Sequence, residues 1–183
     1  MRDSDAEAVR RLRSAAKQGD VNAQYDLGVR YDAGLGVPKN VAEAMRWYRL
    51  AAEQGNADAQ FSLGLMYAHG EGVSEDRAEA VRWFRPAAEQ GHAEGQTMLG
   101  IMYANGEGVP EDAAEAVRWW RMAAKQGFAT AQDNLGTMYI SGRGVPKNDA
   151  EAIRWLRSAG EQGNADAQYA LRVRYAKGRG VSE

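Results

Sequence analysis

The chain has 183 residues, 44% of them hydrophobic, with 25 acids against 23 bases and a formal net charge of -2. That composition supports a buried core, and the charge balance excludes the basic excess of a nucleic-acid-binding domain. No cysteine is present, so there is no disulfide framework, thiolate metal site or Cys nucleophile, and no apolar run approaches the ~20 residues of a membrane span.

The opening stretch, MRDSDAEAVRRLRSAA, has no apolar h-region, so no secretory signal is expected within it, and the compartment stays open between cytoplasm and, if a signal was trimmed, periplasm or exterior. It reads as a first helix, with Ser4 and Glu7 spaced as a capping box. From there the chain repeats itself. A Gly following Gln recurs at Gly19, Gly55, Gly91, Gly127 and Gly163, in steps of 36 residues. Tyr31, Tyr67, Tyr103, Tyr139 and Tyr175 keep the same step, as do five glycine pairs from Gly34/Gly36 to Gly178/Gly180. The stretch AAEQGNADAQ at 51–60 returns as AGEQGNADAQ at 159–168, three periods later. Self-similarity at such a period marks a repeat architecture.

Each period reads as two helices. Helix A of the second unit spans 57–69, where Ala59, Leu63 and Tyr67 make one apolar stripe and Gly70 takes the left-handed C-cap. Helix B spans 77–90, opening on the box Asp76/Glu79 and ending before Gly91. The box recurs as Asn40/Glu43, Asp112/Glu115 and Asn148/Glu151. Gly28, Gly64, Gly100 and Gly136 lie inside helix A. A mid-helix Gly costs ~1 kcal/mol against Ala, so a row of them implies close packing. Trp47, Trp83, Trp119 and Trp155 are expected to fill the space between helices. Pro86 falls inside one helix B and predicts a local kink. No unit buries its apolar face alone; stacking makes the core.

The predicted fold is all-α: a right-handed α/α solenoid of 36-residue helix-turn-helix repeats, with half a unit, four full A–B pairs and half a unit. Ten helices form a single domain over residues 1–183. The chain begins in a helix B and stops after a helix A, with GRGVSE entering a loop. That fits either a piece of a longer solenoid or a finished domain with polar end units. Arg11 stands at the Trp position and Arg172 at the Gly position, while Arg30 and Arg174 stand where inner units have Met66, Met102 and Met138. Charges there suit exposed end faces. A monomer is expected, with head-to-tail self-association as the alternative.

The pattern A-x-A-Q-x-x-L-G-x-x-Y-x-x-G-x-G-V, followed by E-A-x-R-W-x-x-x-A-A-x-Q-G, resembles the Sel1-like repeat of the tetratricopeptide-like superfamily. The second unit carries it on Ala57, Ala59, Gln60, Leu63, Gly64, Tyr67, Gly70, Gly72 and Val73, then on Trp83, Ala87, Ala88, Gln90 and Gly91. A plain tetratricopeptide unit has 34 residues and its Trp ahead of the Leu-Gly pair; here the period is 36 and the Trp lies in helix B. The resemblance implies a non-catalytic scaffold or adaptor that binds a protein or peptide on a concave helix A surface, in bacterial signalling, secretion or host interaction. A cysteine-rich branch of the family is linked to β-lactam chemistry, which makes a small-molecule binder or weak hydrolase the alternative. This chain departs from that branch in lacking Cys. A structural spacer is the third reading.

On that surface the candidate partner-binding residues are Tyr25, Asp26, Val29, Asp58, Phe61, Leu65, Met98, Ile101, Asn134, Thr137 and Tyr169. These positions vary while the core positions repeat. An apolar segment beside polar groups suits an extended peptide or a partner helix. The row Val29, Leu65, Ile101 and Val173 equally suits the packing of helix A on helix A. Helix B carries two arginine rows, Arg10 to Arg154 and Arg13 to Arg157. They offer phosphate contacts, yet each first-row Arg has a Glu three residues before it, which predicts a salt-bridged outer face. His69 and His92 lack metal-ligand spacing. The G-x-G-V pairs lack the strand and the Lys-Ser/Thr of a phosphate loop. No catalytic residue, cofactor or metal site is expected, and the chain is not read as an enzyme.

Overall fold

The computed structural model describes residues 3–176, with side chains from residue 7 onward. Among the described residues there are ten helices and no strand. The chain divides into two compact units, Met1–Gln90 and Gly91–Glu183. The first holds α1 (Asp3–Lys17), α2 (Val21–Ala33), α3 (Val41–Glu53), α4 (Ala57–His69) and α5 (Arg77–Glu89). The second holds α6 (Ala93–Asn105), α7 (Ala113–Lys125), α8 (Ala129–Ser141), α9 (Asp149–Glu161) and α10 (Ala165–Ala176). Even-numbered helices are helix A and odd-numbered ones helix B. The Ser4 side chain of the first box lies outside the described side chains, and the Gly178/Gly180 pair and the final GRGVSE lie outside the described residues.

The capping boxes close on one side only. Asn40 accepts from the Glu43 N–H at 3.1 Å, Asp76 from Glu79 at 2.9 Å, Asp112 from Glu115 at 3.0 Å and Asn148 from Glu151 at 3.0 Å. The cap's own N–H goes elsewhere: that of Asn40 donates to the Tyr31 carbonyl at 2.8 Å, and that of Asp76 to Tyr67 at 2.9 Å. In the second unit Asp112 donates to Tyr103 at 2.9 Å and Asn148 to Tyr139 at 3.1 Å. The start of each helix B is therefore tied to the last turn of the helix A before it. Between them Gly70 takes φ +69°, where a Cβ would press on the Glu75 amide at 3.2 Å. Helix A has its own caps, at Asp20, Asn56 and His92, each accepting from the backbone N–H three residues on. Phe128 stands at that place in α8 and offers no side-chain cap.

The mid-helix glycines receive a side chain. In the first unit a Cβ on Gly64 would meet the Phe84 ring at 2.4 Å, and one on Gly28 would meet Tyr48 at 2.6 Å. In the second, Gly100 receives Trp120 and Gly136 receives Leu156. The seated residue follows the repeating Trp directly, and Phe84 and Leu156 are fully buried. Trp47, Trp119 and Trp155 are buried as expected, while Trp83 is only partly so.

A buried glutamine pairs each A–B set. Gln24 accepts from Gln54 at 2.7 Å and Gln60 from Gln90 at 2.8 Å; in the second unit Gln96 accepts from Gln126 at 2.8 Å and Gln132 from Gln162 at 2.9 Å. Gln24, Gln60 and Gln132 each donate in turn to a carbonyl eight residues earlier, at Ala16, Ala52 and Ala124. Buried amides need such partners. The helix α5 continues through Pro86 to the same length of 13 residues as α3, so the proline does not end it. The end-position arginines differ from the exposed set expected. Arg11 and Arg172 are exposed, but Arg174 is buried and held by Asp149 at 2.6 Å, while Arg30 donates to the Leu35 carbonyl at 3.3 Å.

Candidate functional site: the helix A face

In the first unit the face is built by α2 and α4. The partly buried Tyr25 ring lies 5.8 Å from that of Tyr48, and Phe61 lies 5.7 Å from Phe84, both tilted. These separations suit offset aromatic contact. Each face aromatic therefore rests on the ring that a glycine of its own helix admits. Val29 packs on the core of Ala44, Tyr48, Leu63 and Met66. Leu65 is partly exposed, and Asp26 and Asp58 are exposed.

Electrostatics join these residues. Burial raises the Tyr25 phenol above its usual range, and the Asp58 and Asp26 charges add to this. Burial raises Tyr48 further, with Asp32 and Tyr25 contributing. Both phenols stay neutral donors at physiological pH. The Ser62 hydroxyl interacts with both tyrosines, opposing the rise, and donates to the Asp58 carbonyl at 2.8 Å. Asp26 and Val29 also line a depression of about 350 Å³ with Ala8, Leu12, Arg30 and Leu35.

In the second unit the same positions behave differently. Ile101 packs on the core around Ala116, Val117 and Trp120, and Met98 is partly buried. Thr97, at the place of Tyr25 and Phe61, is buried. Its hydroxyl donates to the Ala93 carbonyl at 2.9 Å, and its own carbonyl accepts from the Trp120 indole at 3.1 Å. Asp133 is half-buried, and burial, then the Asp166 charge, raises its carboxyl above the usual aspartate range. Asn134 is partly buried, Thr137 is exposed, and Tyr169 is 67% exposed. Among the described residues no three His, Cys, Asp or Glu side chains gather to hold a metal.

The arginine rows divide. Arg46, Arg82, Arg118 and Arg154 pair with Glu43, Glu79, Glu115 and Glu151 at 3.0 to 3.5 Å, and Arg10 pairs with Glu7. The second row reaches the repeating tyrosines instead. Arg13 donates to the Tyr31 hydroxyl at 2.8 Å and Arg49 to Tyr67 at 2.6 Å; in the second unit Arg121 donates to Tyr139 at 3.2 Å and Arg157 to Tyr175 at 3.0 Å. A depression of about 360 Å³ on α3 is lined by Met45, Leu50 and Glu53 together with Arg46 and Arg49, both already engaged. Tyr48, the buried α3 ring beneath Tyr25, and Asp32 on α2 are the residues of this region that sequence reasoning missed. The signal for Tyr48 was its place after the repeating Trp; Asp32 gave none.

The model of the Sel1 repeat family matches residues 21–56, 57–92, 93–128 and 129–164. Among solved structures, a protective antigen of uropathogenic Escherichia coli with an SLR fold is 42% identical, with a TM-score of 0.91 over 94% of this chain and 37% of that one. The chain thus spans little more than a third of that relative. A Sel1 repeat protein from Oxalobacter formigenes is 38% identical, with a TM-score of 0.86 over 97% of this chain and 78% of that one. Cysteine rich protein B of Helicobacter pylori shares the fold at 23% identity and a TM-score of 0.57, over 72% of this chain and 95% of that one. No curated protein matches the chain. Among the described residues no helix is long and apolar enough to cross a membrane.

Proposed function

This chain belongs to the Sel1 repeat family, and from that premise we propose that residues 1–183 form one non-catalytic scaffold domain that binds a protein or peptide along its helix A face. Sel1-repeat proteins are generally protein-interaction scaffolds. The observation that carries the reading is a contrast two residues apart. Leu27, Leu63, Leu99 and Leu135 recur and are fully buried in every complete unit. The positions two residues before them hold Tyr25, Phe61, Thr97 and Asp133. The leucine row of helix A is uniform, whereas the row two residues before it differs from unit to unit, partly open at Tyr25, Phe61 and Asp133 and closed at Thr97, as a surface selected for recognition would. Tyr25, Asp26, Val29, Asp58, Phe61 and Leu65 serve in the first unit. Met98, Ile101, Asn134, Thr137 and Tyr169 serve in the second. Extended peptides and amphipathic helices are the ligands that such apolar anchors with polar neighbours accept. The bacterial relatives favour a bacterial signalling, secretion or host-interaction setting, and the chain acts as a monomer.

Peptide-display panning on the full chain, beside a Phe61→Ala/Leu65→Ser/Ile101→Ser variant of matched helicity, tests the reading. A motif enriched on the parent and lost on the variant is expected. No enrichment on the parent, or equal enrichment on both, would contradict it.

A further inference from the structure

We propose that His92 makes the start of α6 a pH-sensitive switch: its neutral imidazole caps the helix, and protonation releases the cap and loosens the turn that leads into the binding face. The effect on binding rests on the scaffold reading above; the switch itself does not. His92 is the N-cap of α6, and its Nδ1 accepts from the Gly95 N–H at 3.0 Å. That bond uses the Nδ1 lone pair, so the neutral ring carries its proton on Nε2. The same place in the other helices A is held by Asp20, Asn56, Phe128 and Asn164. Asp20, Asn56 and Asn164 accept in the same way, and Phe128 offers no side-chain cap. Of the five residues, the histidine alone belongs to the side-chain type that ionises between about pH 5 and pH 8.

Protonation sets two donors against each other. The new Nδ1–H faces the Gly95 N–H, and a positive charge stands at the helix end where the macrodipole is already positive. The cap's stabilisation is therefore present at neutral pH and lost as the pH falls. Glu94 opposes the loss with a carboxylate oxygen 3.6 Å from Nδ1, but that side chain is 51% exposed, and exposed pairs contribute little. The helix packed on α6 is α7. Its Glu115 and Arg118 pair with each other, its Arg121 donates to Tyr139, and its Lys125 is exposed, as is Glu89 three residues before His92. The His92 side chain is only 13% exposed, so water does not readily replace the lost bond. The first turn of α6 is also less helix-prone than its counterparts. Gly95 stands where the other helices A have Ala23, Ala59, Ala131 and Ala167, and glycine is a poor helix former. Contacts with α7 depend on this turn: Gln96 accepts from Gln126 at 2.8 Å, and the Thr97 carbonyl from the Trp120 indole at 3.1 Å. Met98 of the candidate face follows directly.

The test is amide hydrogen exchange followed by NMR on the full chain, between about pH 7.5 and about pH 5, with the His92 ring resonances read in the same samples. The protection factors of Gly95 and Gln96 should fall about tenfold as the His92 ring protonates. Those of Ala59 and Gln60 in α4, capped by Asn56, should hold. A His92→Asn chain should keep its protection across the range, which separates the switch from titrating carboxylates such as Asp133. A peptide recovered by panning should bind more weakly at the lower pH on the parent and equally at both on His92→Asn. Protection that holds while the ring protonates, a ring that stays neutral with its cap intact down to about pH 5, or a fall shared by the Asn variant would overturn the switch. An exchange switch with unchanged peptide affinity would overturn its coupling to the face. No recovered peptide would count against the scaffold reading, and the exchange result would still decide the switch.

Discussion

Gly64 and Phe84 show how single residues set the packing. The ring occupies the volume that a side chain on Gly64 would need, 2.4 Å from where its Cβ would stand. Gly64→Ala should therefore destabilise the chain by about 1–3 kcal/mol through overpacking. Phe84→Ala should cost about 3–5 kcal/mol by emptying the seat. The double variant should cost less than the sum, since the new methyl group fills part of the cavity; additive urea denaturation values would contradict the contact. The glycine row was legible from sequence as a close approach, but a missing side chain does not say what approaches. The seated residue comes 20 positions later and changes between Tyr, Phe, Trp and Leu, so the constant Trp beside it drew the eye. Asp133 gives a second residue-scale test. Its folded pKa is raised, so the folded state holds the proton more tightly than the unfolded chain. The stability this gives is present below the ordinary aspartate value of about 4 and is lost as pH rises through the raised value. Asp133→Asn should thus melt higher than the parent at neutral pH, and the gap should narrow as the pH falls towards about 4. A gap that is constant with pH would refute the assignment.

At the scale of elements, helix bounds were the most readable feature. Helix A of the second unit falls on the predicted 57–69, and helix B ends one residue short of the expected 90. Caps and period speak through local geometry, which sequence records directly. What sequence does not record is the partner of a group once tertiary structure competes for it. The glutamates of the boxes turn to arginines, and the cap N–H turns to a tyrosine carbonyl of the preceding helix. The recurring Gln of the A-x-A-Q pattern was visible as a repeat, whereas its Gln partner 30 residues on was not. Gln60→Ala should remove a buried acceptor from Gln90 and a donor from the Ala52 carbonyl. A loss of about 1–3 kcal/mol is expected for such unsatisfied buried groups. Calorimetric melting of the variant checks this, and an unchanged transition would mean that neither bond matters.

For the whole molecule, the sequence specifies the repeat so strongly because many weak signals return together every 36 residues. The binding face is harder to read for the same reason: it consists of the positions that escape the repeat. Tyr25 and Phe61 were picked out as variable aromatics, and the structure places each on a second ring. Asp32, which adds to the acidic side of the first unit, stands one residue past the last repeating tyrosine of α2 and had no pattern to announce it. Val29 and Ile101 suit both packing and recognition by sequence, and each lies partly buried against the core of its own unit. The most direct measurement is an amide chemical-shift titration of the intact chain with a peptide recovered by panning. The account predicts that saturable shifts concentrate on the open sides of α2, α4, α6 and α8, with helix B residues such as Arg82 and Arg118 unmoved. Shifts centred on the arginine rows of helix B would contradict it.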